Sequence, residues 1–280
     1  MKKIFLLLIF CLTFCSCDKR DDVYVKNILL DFDGDYQLQI SYYDFTQEEE
    51  RYGDKNYHAE NIEDFSAQIM EDEKYSFRLC ENVFISKEIL SKNMNDTVNF
   101  IKNSGIPITV NIAVATKIPD EDKAVQCPIY NLSQNQGKVT GGVEDWETGG
   151  RYIIYENKII EFLPFEKSVC LDLLTDNITN VEYIFQDEKY YADLDRINTA
   201  YAVKNDEFII NIDMFLKGFT GTADTAKGRK EMKNLLISNI KENIYRLIDD
   251  ENLKRIYNFK WLRKQKGDHT TKLRIDINIY

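Results

Sequence analysis

A chain of 280 residues, 44% of them hydrophobic, has length enough for one large domain or for two to three small ones. With 12 glycines and 4 prolines it is neither collagen-like nor a proline-rich linker protein. The formal net charge of −11 repels phosphate backbones and anionic headgroups, so nucleic acid is not an expected partner and any membrane attachment must come from something other than a basic patch.

The first segment is a leader. Lys2 and Lys3 form a basic start, and Ile4 to Phe14 is apolar apart from Thr13. That run is shorter than the roughly 20 residues needed to cross a bilayer and has the length of a signal-peptide core. Three cysteines follow within seven residues, Cys11, Cys15 and Cys17, and charged residues begin at Asp18. A lipoprotein signal requires a small residue immediately before the modified cysteine. Ser16 before Cys17 satisfies this, Phe14 before Cys15 does not, and Cys11 lies inside the apolar core. Residues 1–16 therefore read as a lipoprotein signal peptide, with Cys17 as the acylated first residue of an exported, extracytoplasmic chain. Each buried methylene contributes about 0.8 kcal/mol, so acyl chains on one cysteine can hold a folded domain at a membrane.

Residues 17–118 read as an N-terminal α/β domain. Asp18 to Asp22 is a polar tether. Val23 to Leu30 and the run "QLQISYY" are strands joined at Asp33-Gly34, a favoured hairpin turn. "DFDGDY" lacks the downstream glycine and glutamate spacing of a calcium loop. The charged stretch Gln47 to Ala59 is expected to be a loop. Asn61 to Met70 places Ile62, Phe65, Ile69 and Met70 on one helical face. Phe77 to Ile85 is a strand, and Ser86 caps a helix bearing Ile89, Leu90, Met94, Val98 and Ile101. Gly105 and Pro107 stop it, and Ile108 to Ala115 is a continuous apolar strand.

Residues 119–149, glycine-rich and polar, are expected to form a linker or loose loop region, with Trp146 packing it onto a domain. Residues 150–280 form a C-terminal α/β region with a further division near residue 190. "YIIYENKIIEFL" is a hairpin turning at Glu156 to Lys158, and Phe165 to Leu174 is helical. Strands are expected around Ile184, over Ile197 to Val203 and over Phe208 to Leu216, with a turn at Asn205-Asp206. Met232 to Ile248 is an amphipathic helix, with Leu236, Ile240, Ile244 and Ile248 four apart. In "KLRIDINIY", Leu273, Ile275, Ile277 and Ile279 alternate with polar residues, the pattern of a strand with one buried face. The expected class is α+β, each domain a mainly antiparallel or mixed sheet flanked by helices.

Catalytic signatures are missing from the sequence. His58 and His269 stand in polar stretches without partners at metal spacing, and there is no HExxH, CxxC, G-x-S-x-G or P-loop. Acidic clusters such as "YDFTQEEE" and "VEDWE" read as solvated surface, and "TGGVEDWETGG" lacks dinucleotide-binding spacing. Cys80, Cys127 and Cys170 read as small apolar fillers. The residues alone indicate a membrane-tethered exodomain, with no catalytic residue, cofactor site or metal site assigned.

The order of features resembles the spore-germination receptor C-subunit lipoproteins. "CSCDKRDDVYVKNILLDFDGDYQLQISYYDF" is similar to the family's lipidated cysteine, charged stretch, strand, acidic turn and second strand. "YSFRLCENVFISKEILSKNMNDTVNFIKNSGIPITVNIAVAT" resembles its strand, helix and strand closing the first domain. "RYIIYENKIIEFLPFEKSVCLDLL" resembles a later stretch in which a Lys leads into an apolar strand and a Glu-led helix, with Lys158 and Glu166 in those places. Asp18 stands where the family has Trp. The resemblance implies three small α/β domains, each a sheet flanked by helices, and no enzymatic activity. It also implies a complex with two integral membrane subunits, of the A and B types, on the outer side of the inner spore membrane, answering small-molecule germinants. Two other readings stay open from the residues: a ligand-binding surface lipoprotein, and an exported hydrolase using an unrecognised carboxylate pair.

Overall fold

The computed structural model describes residues 23–45, 51–71, 75–120, 127–175, 178–185, 190–205, 207–220, 226–256 and 272–280. The leader, Cys17, His269 and Asp206 of the Asn205-Asp206 turn lie outside these. The chain divides into two compact units, where the resemblance implies three: Met1–Ile89 with Asp96–Ala124, and Leu90–Asn95 with Val125–Tyr280. Each combines sheet and helix, so the expected α+β class holds.

The first unit is a mixed sheet ordered β6-β5-β1-β2-β3. Strands β1 (Val23–Asp33) and β2 (Asp35–Asp44) form an antiparallel hairpin. It reverses on Gly34, at φ +84, where a side chain would be strained. The stretch Gln47 to Ala59 was expected to be a loop, but Arg51–Ala59 is strand β3, paired with β2 from Tyr36↔Ala59 to Asp44↔Arg51. The ladder of β2 supplies backbone partners that outweigh the weak strand propensity of "RYGDKNYHA". Helix α1 (Asp64–Glu71) follows, with Ile62, Phe65 and Ile69 buried.

Strands β4 (Tyr75–Ser76) and β5 (Asn82–Ile85) both run parallel to β1, and β6 (Asn111–Val114) runs parallel to β5. The expected strand Phe77 to Ile85 is thus interrupted. The Cys80 amide donates to the Phe77 carbonyl at 3.0 Å, making a turn between β4 and β5. Likewise Ile108 is exposed and Val110 donates to the Pro107 carbonyl, so β6 starts later than the apolar run. Ser86 caps as expected, accepting from the Ile89 amide at 3.4 Å. The single helix expected after it is two helices, α2 (Lys87–Lys92) and α3 (Met94–Asn103), broken at Asn93.

In the second unit the expected linker is largely folded. Strands β7 (Ser133–Asn135) and β8 (Lys138–Asp145) pair with each other, and β8 pairs with β9 (Arg151–Tyr155). The glycines that suggested looseness mark close packing. A Cβ on Gly150 would lie 2.5 Å from Phe162 Cζ and 2.7 Å from the Leu163 carbonyl. Trp146 is half-buried in the turn before Gly150. Strands β9 and β10 (Lys158–Leu163) form the expected hairpin, with Glu156 and Asn157 at φ +50 and +68, the signature of a type I′ turn.

Helix α4 (Phe165–Thr175) buries Ser168, Val169, Cys170, Leu171, Leu173 and Leu174, most of its circumference. The second sheet is ordered β11-β12-β13-β14: Val181–Phe185, Tyr190–Lys204, Glu207–Thr220 and Lys272–Ile279. The first three are antiparallel and β14 runs parallel to β13. Because β11 and β12 pair directly across residue 190, no domain boundary falls there. Helix α5 (Ala226–Asp249), about 36 Å long, lays Met232, Leu236, Ile240, Ile244, Leu247 and Ile248 into one core with Ile275 and Ile277 of β14. Lys233 Nζ donates to the Ile279 carbonyl at 3.1 Å and ties helix to strand. Helix α6 (Glu251–Ile256) follows at once.

Candidate functional site

Cys17 lies outside the described residues, the first of which is Val23, the start of β1. The register there builds a surface. Tyr24 of β1 stands opposite Tyr43 of β2, and Tyr43 opposite Tyr52 of β3. Three tyrosines from three strands thus form one row on one face, because residues in register share a face. Tyr43 and Tyr52 meet edge to face at 5.6 Å between ring centroids. Phe45, one residue past the end of β2, lies 5.8 Å from Tyr24 and 6.2 Å from Tyr43. Lys26 holds its Nζ 5.8 Å from the centre of the Tyr43 ring. Phe45 is 50% exposed and Tyr52 54%.

The same face changes character along the strands. Beyond the tyrosines, Gln39 pairs with Asn56 and Gln37 with His58. His58, one of the two histidines of the chain, is exposed at this polar end. On the opposite face Tyr42 packs against Tyr75 at 5.2 Å, over Gly53. The alternation follows from the period of two in a strand: Tyr36, Leu38, Ile40 and Tyr42 go inward, while Gln37, Gln39, Tyr43 and Phe45 go outward.

The second unit holds a polar cluster inside its core. Tyr183 of β11 donates to Asn239 Oδ1 at 2.7 Å. Asn243 Nδ2 lies 3.2 Å from Asn239 Oδ1, 3.4 Å from the Tyr183 hydroxyl and 3.5 Å from Glu166 Oε2. Glu166 thereby joins the start of α4 to the middle of α5. Lys158 is exposed at the start of β10. Cys170 Sγ is 3.8 Å from the Tyr183 hydroxyl. Burial, reinforced by the adjacent Cys170, pushes the Tyr183 phenol far above its ordinary range. Burial likewise pushes the Cys170 thiol up to about 12, so neither group supplies a nucleophile at neutral pH. The cluster satisfies its own polar groups and pins α4, β11 and α5 together.

The second unit also brings Glu161 of β10 close to Asp250. Burial first, and then the Asp250 carboxyl, raise the Glu161 carboxyl above its ordinary value. Asp250 Oδ1 accepts from the Asn252 and Leu253 amides at 2.8 and 3.1 Å, capping α6.

Cys80 and Cys127 are buried with Cys170 and free. Burial raises their thiols to about 12 and about 11. Among the described residues, no group of three or more His, Cys, Asp or Glu is placed to hold a metal ion. No helix among them is long and apolar enough to cross a membrane.

No family model and no curated protein sequence matches the chain. Comparison with solved structures returns one described as "Crystal Structure of the GerBC protein". It aligns over 90% of this chain and 96% of that chain, at 14% identity and a TM-score of 0.43.

Proposed function

We propose that the chain is a lipid-anchored, non-enzymatic subunit of a spore germinant receptor complex. Its acyl group on Cys17 holds it on the outer side of the inner spore membrane. There it stabilises an assembly with integral membrane subunits of the A and B types that responds to small-molecule germinants.

The observation that carries this reading is the order of elements. The hairpin β1-β2 follows the leader, and β5, α2–α3 and β6 supply strand, helix and strand. The hairpin β9-β10 then leads into a helix opened by Glu166, and α5 precedes the terminal strand β14. This is the succession that the sequence resemblance implies. The spacing of Ser16 and Cys17 after the apolar core supports the anchor. The chemistry of the second unit's core agrees with a scaffold: Glu166, Cys170, Tyr183, Asn239 and Asn243 are engaged with one another there.

The test is deletion of the gene, followed by sporulation and single additions of nutrients and bile-type molecules. Loss of response to some germinants, with normal spore formation and normal response to others, is expected. An organism that forms no spores would sink the reading. So would hydrolysis of a substrate by the purified chain that point changes at one carboxylate pair abolish.

A further inference from the structure

We propose that the aromatic end of the first unit's sheet, formed by Tyr24, Tyr43, Phe45 and Tyr52, docks into the headgroup region of the bilayer to which the chain is tethered. The tether in this proposal rests on the acylation of Cys17 stated above. The docking surface rests on the strand register.

Three observations point to lipid as the occupant. The first is position. Five residues separate Cys17 from Val23, and six residue steps span at most about 20 Å even fully extended. Val23 and Tyr24 begin β1, so the row Tyr24–Tyr43–Tyr52 is the part of the described face nearest the anchor. The second is composition. Aromatic rings with a polar edge, beside a lysine over one ring, are the side chains that settle at membrane–water interfaces. Phe45 lies past the end of β2 and leaves half its surface in water, so it does more than close the strand ladder. The third is the gradient. Six residues along the strands, about 20 Å away, the same face carries Gln37 and His58. A face greasy at the tether end and polar at the far end orients the unit upright on a surface. The chain's net charge of −11 sets the lipid class: the contact is with a zwitterionic interface, driven by the rings, and not with an anionic one.

The experiment places a fluorescent reporter at each end of the face. Phe45→Trp, Tyr52→Trp and, as the control, His58→Trp are made in the full chain, and the native tryptophan signal of the unsubstituted protein is subtracted. Each protein is attached to phosphatidylcholine vesicles in two ways. One is the acylated product of export. The other is residues 17–280 held by an N-terminal hexahistidine to nickel-chelating lipid. Quenching by brominated phosphatidylcholine is expected to be at least two-fold greater for Phe45→Trp and Tyr52→Trp than for His58→Trp, in both attachments and at high salt. Equal quenching at the three positions overturns the proposal, as does quenching that needs phosphatidylglycerol and vanishes with salt. Absence of quenching at residues 45 and 52, with crosslinking from them to a membrane protein in native membranes, also overturns it in favour of a protein partner. The chelated arm needs no acyl group. Mass spectrometry showing an unacylated Cys17 would therefore sink the anchor reading while the quenching still decides the docking.

Discussion

Arg151, the first residue of β9, grips Asp172 of α4 with both ends of its guanidinium, Nη1 to Oδ1 at 2.7 Å and Nη2 to Oδ2 at 2.9 Å. Both side chains are largely buried, at 8% and 15% exposure. The bidentate geometry locks the hairpin to the helix. Removing one partner leaves a buried charge alone, which costs about 3–5 kcal/mol. Arg151→Ala should lower stability by that order in chemical denaturation. The double variant Arg151→Met with Asp172→Leu should recover much of it. If the two single changes add without recovery, the pair does not act as a unit.

The raised Glu161 carboxyl has a pH signature. In the unfolded chain this carboxyl titrates near its ordinary value of 4.5, and in the folded chain above it. The folded state therefore holds the proton longer as pH rises. The stabilisation is full below the unfolded value and is lost as pH rises through the raised folded value. Glu161→Gln should flatten this decline in melting temperature on going from acid towards neutral pH. A parallel decline in both proteins would show that the Glu161 proton is not responsible.

The terminal strand closes the core under α5. Ile275 and Ile277 are 3% and 7% exposed. Ile275→Ala should cost about 2–5 kcal/mol, a large share of the stability of an ordinary domain. Thermal melts report it directly. An unchanged melting temperature would mean that β14 contributes little to the packing seen here.

Thiol chemistry should be silent in the folded mature chain. Cys80, Cys127 and Cys170 are buried, with thiols raised to about 12, 11 and 12. A neutral-pH thiol reagent should label none of them until denaturant is added. Rapid labelling of any one in buffer would place it on an opening segment.

Cys17→Ala should release the protein from membranes or leave its leader uncleaved, since Cys17 alone follows a small residue at the end of the apolar core. Fractionation and intact-mass measurement read both outcomes. Continued membrane retention with a processed N-terminus would assign the anchor elsewhere.

The sequence by itself determined the features that depend on neighbours a few residues apart. The four-residue spacing along α5, the alternation of β14, the Ser86 cap and the turns at Gly34 and Glu156-Asn157 are all written in local pattern, and the structure holds them. Tertiary structure decided what depends on a distant partner. Strand β3 is mostly polar and exists because β2 offers it a ladder. The stretch around β8 looked like a glycine-rich linker, but its Gly141 meets the Leu132 side chain, and Gly150, just before β9, meets Phe162 and Leu163 of β10, each too closely for a Cβ. The aromatic row is legible only in register. Tyr24, Tyr43 and Tyr52 are scattered through three segments, and a slip of one residue in either ladder would turn a tyrosine to the other face. Glu161 and Asp250, or Arg151 and Asp172, meet across intervals that no local period encodes. Their pairing follows from how helices and hairpins pack, and packing is a property of the whole folded unit.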